Sequence, residues 1–166
     1  LILFGNSNMP IPVLMYHSIS NDNNKISVSV SNFKNQMRLM HSLGYKGYCL
    51  NKINLKTSKK KFVITFDDGY ENIFTKAMPI LKKLNFSATC FIVNKKIGNF
   101  NDWDKNKKNY KKKKLMNRKQ IKTWIKNGFE VGSHTMNHYN LKNLSNNQKK
   151  YQILKPKKFF KTNYGI

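Results

Sequence analysis

The feature that most constrains the fold is the clearest strand in the sequence, Lys61 to Phe66 (KFVITF), which passes directly into Asp67-Asp68-Gly69-Tyr70. Its mostly apolar, β-branched and aromatic residues read as a buried strand, as in a parallel sheet flanked by helices. Its surroundings fit that frame. Residues 11–19 (IPVLMYHSI) read as another doubly covered strand, and residues 45–50, 87–93 and 129–133 as shorter ones. Between them lie helical patterns. One is capped by Ser31, carries Phe33, Met37 and Met40 on one face and stops at Gly44. A second runs over 71–84, where Pro79 must kink or divide it. A third is capped near Asn117, buries Ile121, Trp124 and Ile125, and ends at Gly128. A fourth covers 144–154 and is ended by Pro156, with a sixth strand expected from 158 to 161. This alternation predicts an α/β fold with a mainly parallel sheet.

At 166 residues the expectation is one domain over 1–166, with a Lys/Asn-rich surface loop at 94–114. No apolar run approaches the ~18–20 residues of a membrane span. Residues 1–5 are apolar but too short for a signal peptide and lack its basic flank. Cys49 and Cys90 sit in strand-like runs and read as packing residues. The net charge of +25 raises the question of nucleic acid. Against that, the cations are almost all Lys, with only Arg38 and Arg118, whereas base-reading surfaces favour Arg. Lys and Asn make up about a third of the chain and are scattered through every element, so A/T-rich coding accounts for much of the charge. The densest run, residues 105–114, reads as a solvated, self-repelling loop.

The polar residues that carry chemistry lie at the C-terminal ends of expected strands, where α/β folds assemble their sites. Only seven residues of the chain are acidic, and two are adjacent, Asp67 and Asp68. They repel each other unless a cation or a shared proton relieves them. Taken alone, Asp-Asp-Gly also suits a turn whose carboxylates cap the next helix. The second cluster, Ser133-His134-Thr135-Met136-Asn137-His138, holds two histidines at i, i+4. On a helix or tight turn both imidazoles can reach one metal; otherwise they are two exposed histidines. Together, one carboxylate and two imidazoles make a three-ligand divalent site with open positions.

TFDDGY at 65–70 together with GFEVGSHTMNH at 128–138 resembles the polysaccharide deacetylase (NodB-homology) family of carbohydrate esterases. PVLMYHSI near the start is similar to its poly-N-acetylglucosamine deacetylase branch. The resemblance spans about residues 11–145. It implies an irregular (β/α) barrel, here expected to be incomplete at the C-terminus, and a metal-dependent hydrolase removing N-acetyl groups from an amino-sugar polysaccharide. It implies Asp68, His134 and His138 as ligands of a divalent metal, zinc foremost, and Asp67 as general base. His17 takes the place of the general acid. The implied partner is an N-acetylated polysaccharide or oligosaccharide, with no specific nucleic acid. The family usually acts outside the cytoplasm. His41 reads as structural or exposed.

Residues 159–165 (FFKTNYG) depart from the family's pocket-shaping segment, with Thr162 and Asn163 where Arg or Tyr and Pro are usual. Lys161 is a weaker stand-in for an Arg fork. That departure keeps a second reading open, a deacetylase-like remnant that has lost turnover. A basic nucleic-acid-binding module is the third.

Overall fold

The structure, a computed structural model, describes residues 10–54 and 60–166; the apolar start at 1–5 lies outside them. In chain order the elements are β1 (Val13–Tyr16), β2 (Ser18–Ile19), β3 (Ser27–Val28), α1 (Val30–Ser42), β4 (Lys46–Tyr48), β5 (Lys61–Phe66), α2 (Met78–Lys83), β6 (Thr89–Ile92), α3 (Arg118–Lys126), β7 (Glu130–Ser133) and α4 (Asn146–Tyr164). The main sheet is parallel throughout, in the order β1-β5-β6-β7, with β4 also pairing with β5. β2 and β3 form a separate two-stranded parallel ribbon. The α/β class expected from the periodicity is therefore present. Among the described residues, no helix is long and apolar enough to cross a membrane.

All six residues of β5 are buried, including Lys61 and Thr65, as expected of a central strand covered by helices. Helices cover it through i, i+4 and i, i+3 pairs: Phe33 and Met37 of α1, Ile121 and Trp124 of α3. Aromatic edges knit the layers, with Trp124 against Phe66 at 6.2 Å and Phe33 against Tyr16 at 5.1 Å. Asn117 caps α3 in a reciprocal box with Gln120, as its position predicts. Cys49 and Cys90 are buried free thiols, and burial pushes the Cys90 thiol well up. His41 is exposed.

Several expectations are corrected. The run at 11–19 is not one doubly covered strand: Val13 and Met15, on one face of β1, are 56% and 60% exposed, and among the described residues β1 pairs with β5 alone. The chain breaks at His17 before β2. Ser29, not Ser31, caps α1, its hydroxyl accepting from the Asn32 N–H at 3.1 Å. Ahead of Pro79 the helix widens into a π-helical turn, Ile73–Ala77, and continues as α2 with the proline in its first turn. There is no strand at 158–161. α4 runs through Pro156 to Tyr164, because Gln152, Pro156 and Phe160 form one buried stripe at i, i+4, i+8. Packing of that stripe outweighs the proline's missing N–H.

The run at 105–114 is also more tightly held, at Lys113, than a self-repelling loop. Lys113 Nζ donates to Ser18 Oγ at 2.8 Å and Ser27 Oγ at 2.7 Å, and pairs with Asp22 at 2.7 Å. Buried Asn101 accepts from the Lys113 N–H at 2.6 Å and donates to the Lys111 carbonyl at 3.1 Å. These bonds fasten the loop to the β2–β3 ribbon and close it on itself.

Candidate metal centre

The site is built where the strands end. The chain leaves β5 at Phe66, and the Asp67 N–H donates to the Tyr16 carbonyl at 2.9 Å, holding the end of β5 beside the end of β1. Asp68 and Gly69 then turn through the left-handed region, at φ 70° and 80°. Glycine is needed at 69: a Cβ there would sit 3.2 Å from the Ile92 side chain in a conformation that side chains disfavour. Asp68 holds the same backbone region without that freedom, at a cost of about 1–2 kcal/mol. The turn directs the two neighbouring carboxylates to different partners.

Asp68 is buried, with its side chain 4% exposed. Its Oδ1 lies 3.4 Å from Nε2 of His134 and 3.1 Å from Nε2 of His138. Among the described residues this buried oxygen accepts no hydrogen bond of good geometry. A buried carboxylate oxygen without a donor, facing two imidazole nitrogens, is the arrangement a divalent cation resolves. One ligand atom from each of the three residues lies within 4.8 Å of the others. Two nitrogens and one oxygen are a donor set that zinc and its first-row neighbours accept. The residues fit such an ion.

The electrostatics agree. Burial alone would raise the Asp68 carboxyl, but contact with His138 and the nearby charge of His138, His134 and His17 outweigh it and hold it below its usual range. Burial pushes the His134 imidazole down despite the Asp68 and Asp67 charges, favouring the neutral form that ligates metals. Asp67 is more open, 17% exposed, and its Oδ2 lies 4.0 Å from His17 Nε2. The five residues singled out in the sequence thus meet on one face.

His134 continues from β7, its N–H donating to the Ile92 carbonyl at 2.9 Å. Residues 134–138 form a turn rather than a helix, with Thr135 at φ 65° and His138 at φ 63°. The His138 N–H donates to Thr135 Oγ1 at 3.0 Å. Among the described residues, three of the four non-glycine positions with positive φ (Asp68, Thr135 and His138) therefore lie at this site, where strain is held by surrounding structure.

Some participants were not legible. Trp103, from the Lys/Asn-rich loop, stacks on the His138 ring at 4.6 Å. Tyr70 is fully buried, and its hydroxyl accepts from Asn101 Nδ2 at 3.5 Å and lies against the Asp68 carboxylate. Burial, and then the Asp68 charge, drive that phenol far above its ordinary value. Tyr70 belongs to the motif already quoted, but nothing in the sequence pairs it with Asn101. The segment 159–165 lies at the end of α4, where Phe159, Phe160 and Tyr164 stack on one another and Lys161 is exposed.

Comparison with known proteins agrees with the motifs. The family model described as polysaccharide deacetylase matches residues 54–166. YxkH of Bacillus subtilis is 33% identical over 156 residues, covering 90% of this chain and 51% of that protein. The poly-beta-1,6-N-acetyl-D-glucosamine N-deacetylase of Staphylococcus aureus is 33% identical over 144 residues, covering 82% and 45%. In fold, the chain is similar to the Streptococcus pyogenes deacetylase PplD, solved in complex with acetate. The TM-score is 0.77 at 24% identity, covering 93% of this chain and 69% of that one. The chain spans about half the length of the curated relatives it matches. With the family model matched over most of its length, this chain belongs to the polysaccharide deacetylase family.

Proposed function

We propose that the chain carries a divalent-metal hydrolase site that removes N-acetyl groups from an amino-sugar polysaccharide, with zinc as the metal. The observation that carries this reading is the convergence of Asp68, His134 and His138 while Asp67 and His17 stand together on the same face. The sheet and its helices are then an arc of an irregular (β/α) barrel, with the site at the strand ends.

In this reading Asp68, His134 and His138 hold the ion. When bound, it supplies Lewis acidity, lowering the pKa of water and polarising the acyl carbonyl. Asp67, left free by the turn at Asp68, accepts a proton from the water that adds to the N-acetyl carbonyl carbon. Collapse breaks the C–N bond, and His17 gives a proton to the departing amine. The products are acetate and a free amino sugar. The half-buried Trp103 ring beside His138 restricts water on that flank.

The test is acetate release from N-acetylglucosamine oligomers by zinc-loaded protein, beside chelated protein and Asp67→Asn. Release that needs zinc and Asp67 is the expected result. Stoichiometric zinc without release above the Asp67→Asn background would overturn turnover and leave a remnant that only holds metal. The helical placement of 159–165 favours that second reading.

A further inference from the structure

α4 contributes none of the five residues above, yet it grips the turn between the two histidines. Gln152 is 3% exposed, a buried polar side chain in the middle of a helix. Its Oε1 accepts from the Met136 N–H at 3.1 Å and from the Asn137 N–H at 2.9 Å. Its backbone carbonyl also accepts from the Met136 N–H, at 3.1 Å. In a regular helix that carbonyl would receive the N–H of residue 156. Residue 156 is proline, which has none. The proline that the sequence marks as a helix terminator instead sits inside α4 and frees an acceptor facing the turn.

The grip falls between His134 and His138. The turn also contains Thr135 and His138 in the left-handed region, so its backbone needs external support to persist. On one side it is tied to β6 and the residues after it: the His134 N–H bonds to the Ile92 carbonyl, and the Thr135 and Met136 carbonyls accept from the Asn94 and Lys95 N–H groups. On the other side, the only acceptors recorded among the described residues for the Met136 and Asn137 N–H groups belong to Gln152.

We propose that Gln152, with its carbonyl freed by Pro156, is the positioning residue of the histidine turn, setting the backbone so that His134 and His138 face Asp68 together. The inference rests on the metal-site reading above. Gln152 acts through backbone hydrogen bonds and does not touch the ion. Such supporting contacts typically change metal affinity about 10–100-fold when removed.

The experiment compares zinc affinity, by competition with a chromogenic chelator, in wild type, Gln152→Met and Gln152→Glu. Methionine keeps the length and helix propensity and removes the acceptor; glutamate keeps an acceptor oxygen. The expected result is zinc affinity weakened about 10–100-fold in Gln152→Met and within a few-fold of wild type in Gln152→Glu. The zinc-free melting temperature is read alongside, because a merely structural role moves stability without this pattern of loss and rescue. Equal affinity in wild type and Gln152→Met, or equal loss in both variants, overturns the proposal. Amide exchange in zinc-free wild type tests it without any variant. The Met136 and Asn137 amides should be protected, and exchange as fast as in free peptide overturns the grip itself. Wild type that takes up no zinc while those amides stay protected overturns the metal-site reading and with it the role toward the ion, leaving only the grip.

Discussion

Asp67 and Asp68 are adjacent in the chain but serve different neighbours: Asp67 faces His17 at 4.0 Å, whereas Asp68 faces His134 and His138 at 3.4 and 3.1 Å. The divergence arises in one residue, because Asp68 takes a left-handed backbone and Gly69 follows it without a Cβ. On an extended strand the two carboxylates would point to opposite faces of the sheet; the left-handed turn instead keeps both at the strand ends, each with its own histidine partners.

The two aspartates should therefore fail differently. Asp68→Ala is expected to lose zinc, read as metal content of purified protein after dialysis. Asp67→Asn should keep about one equivalent and lose on the order of 10²–10⁴-fold in acetate release. His17→Ala should likewise keep its metal while slowing turnover. Equal zinc in wild type and Asp68→Ala would remove Asp68 from the ligand set.

Acid should loosen the loop at 94–114. Burial would raise the Asp22 carboxyl, but hydrogen bonds from Lys113, Ser27 and Ser20 and the Lys113 charge outweigh it and bring it down to about 2. That lies below the unfolded value of about 3.9, so its stabilising contribution is complete above about pH 4 and is lost as pH falls towards 2. The urea midpoint of wild type should exceed that of Asp22→Asn at pH 5, and the gap should narrow as pH falls below about 4, with most of it gone by about pH 2. A gap of constant size across that range would show that the Lys113 pair contributes nothing through ionisation.

Gly47 should tolerate no side chain. It is buried on β4, and a Cβ there would meet Ile64 at 2.8 Å and Phe62 and Phe86 at 3.0 Å. All three are core residues with little room to yield. Gly47→Ala should destabilise by about 1–3 kcal/mol, lowering the thermal midpoint by several degrees. A midpoint equal to wild type would mean that β4 shifts freely against β5.

What could be read in the chain was local and repetitive. β5 announced itself because Phe62, Val63, Ile64 and Phe66 suit a two-sided apolar environment, and α3 because Asn117, Gln120 and the Ile121/Trp124 pair agree on one register. The Asp/His/His cluster was visible because its members sit at strand ends within short motifs. β1 misled because apolar composition does not reveal that one face of a strand, here that of Val13 and Met15, stays uncovered. Pro156 misled because propensity is a local term, and the burial of Gln152, Pro156 and Phe160 is not.

By itself, the sequence determined that strands and helices alternate, that two acidic and two imidazole groups fall at strand ends, and which family the motifs resemble. Tertiary structure decided which carboxylate meets the histidines, which lysine of a long basic run becomes buried, and which helix holds the turn. Each of those depends on contacts between residues far apart in the chain: Asp68 with His138, Lys113 with Asp22, Gln152 with Asn137. Such contacts are set by how the packed layers bring their ends together, and no periodicity within a single segment encodes that.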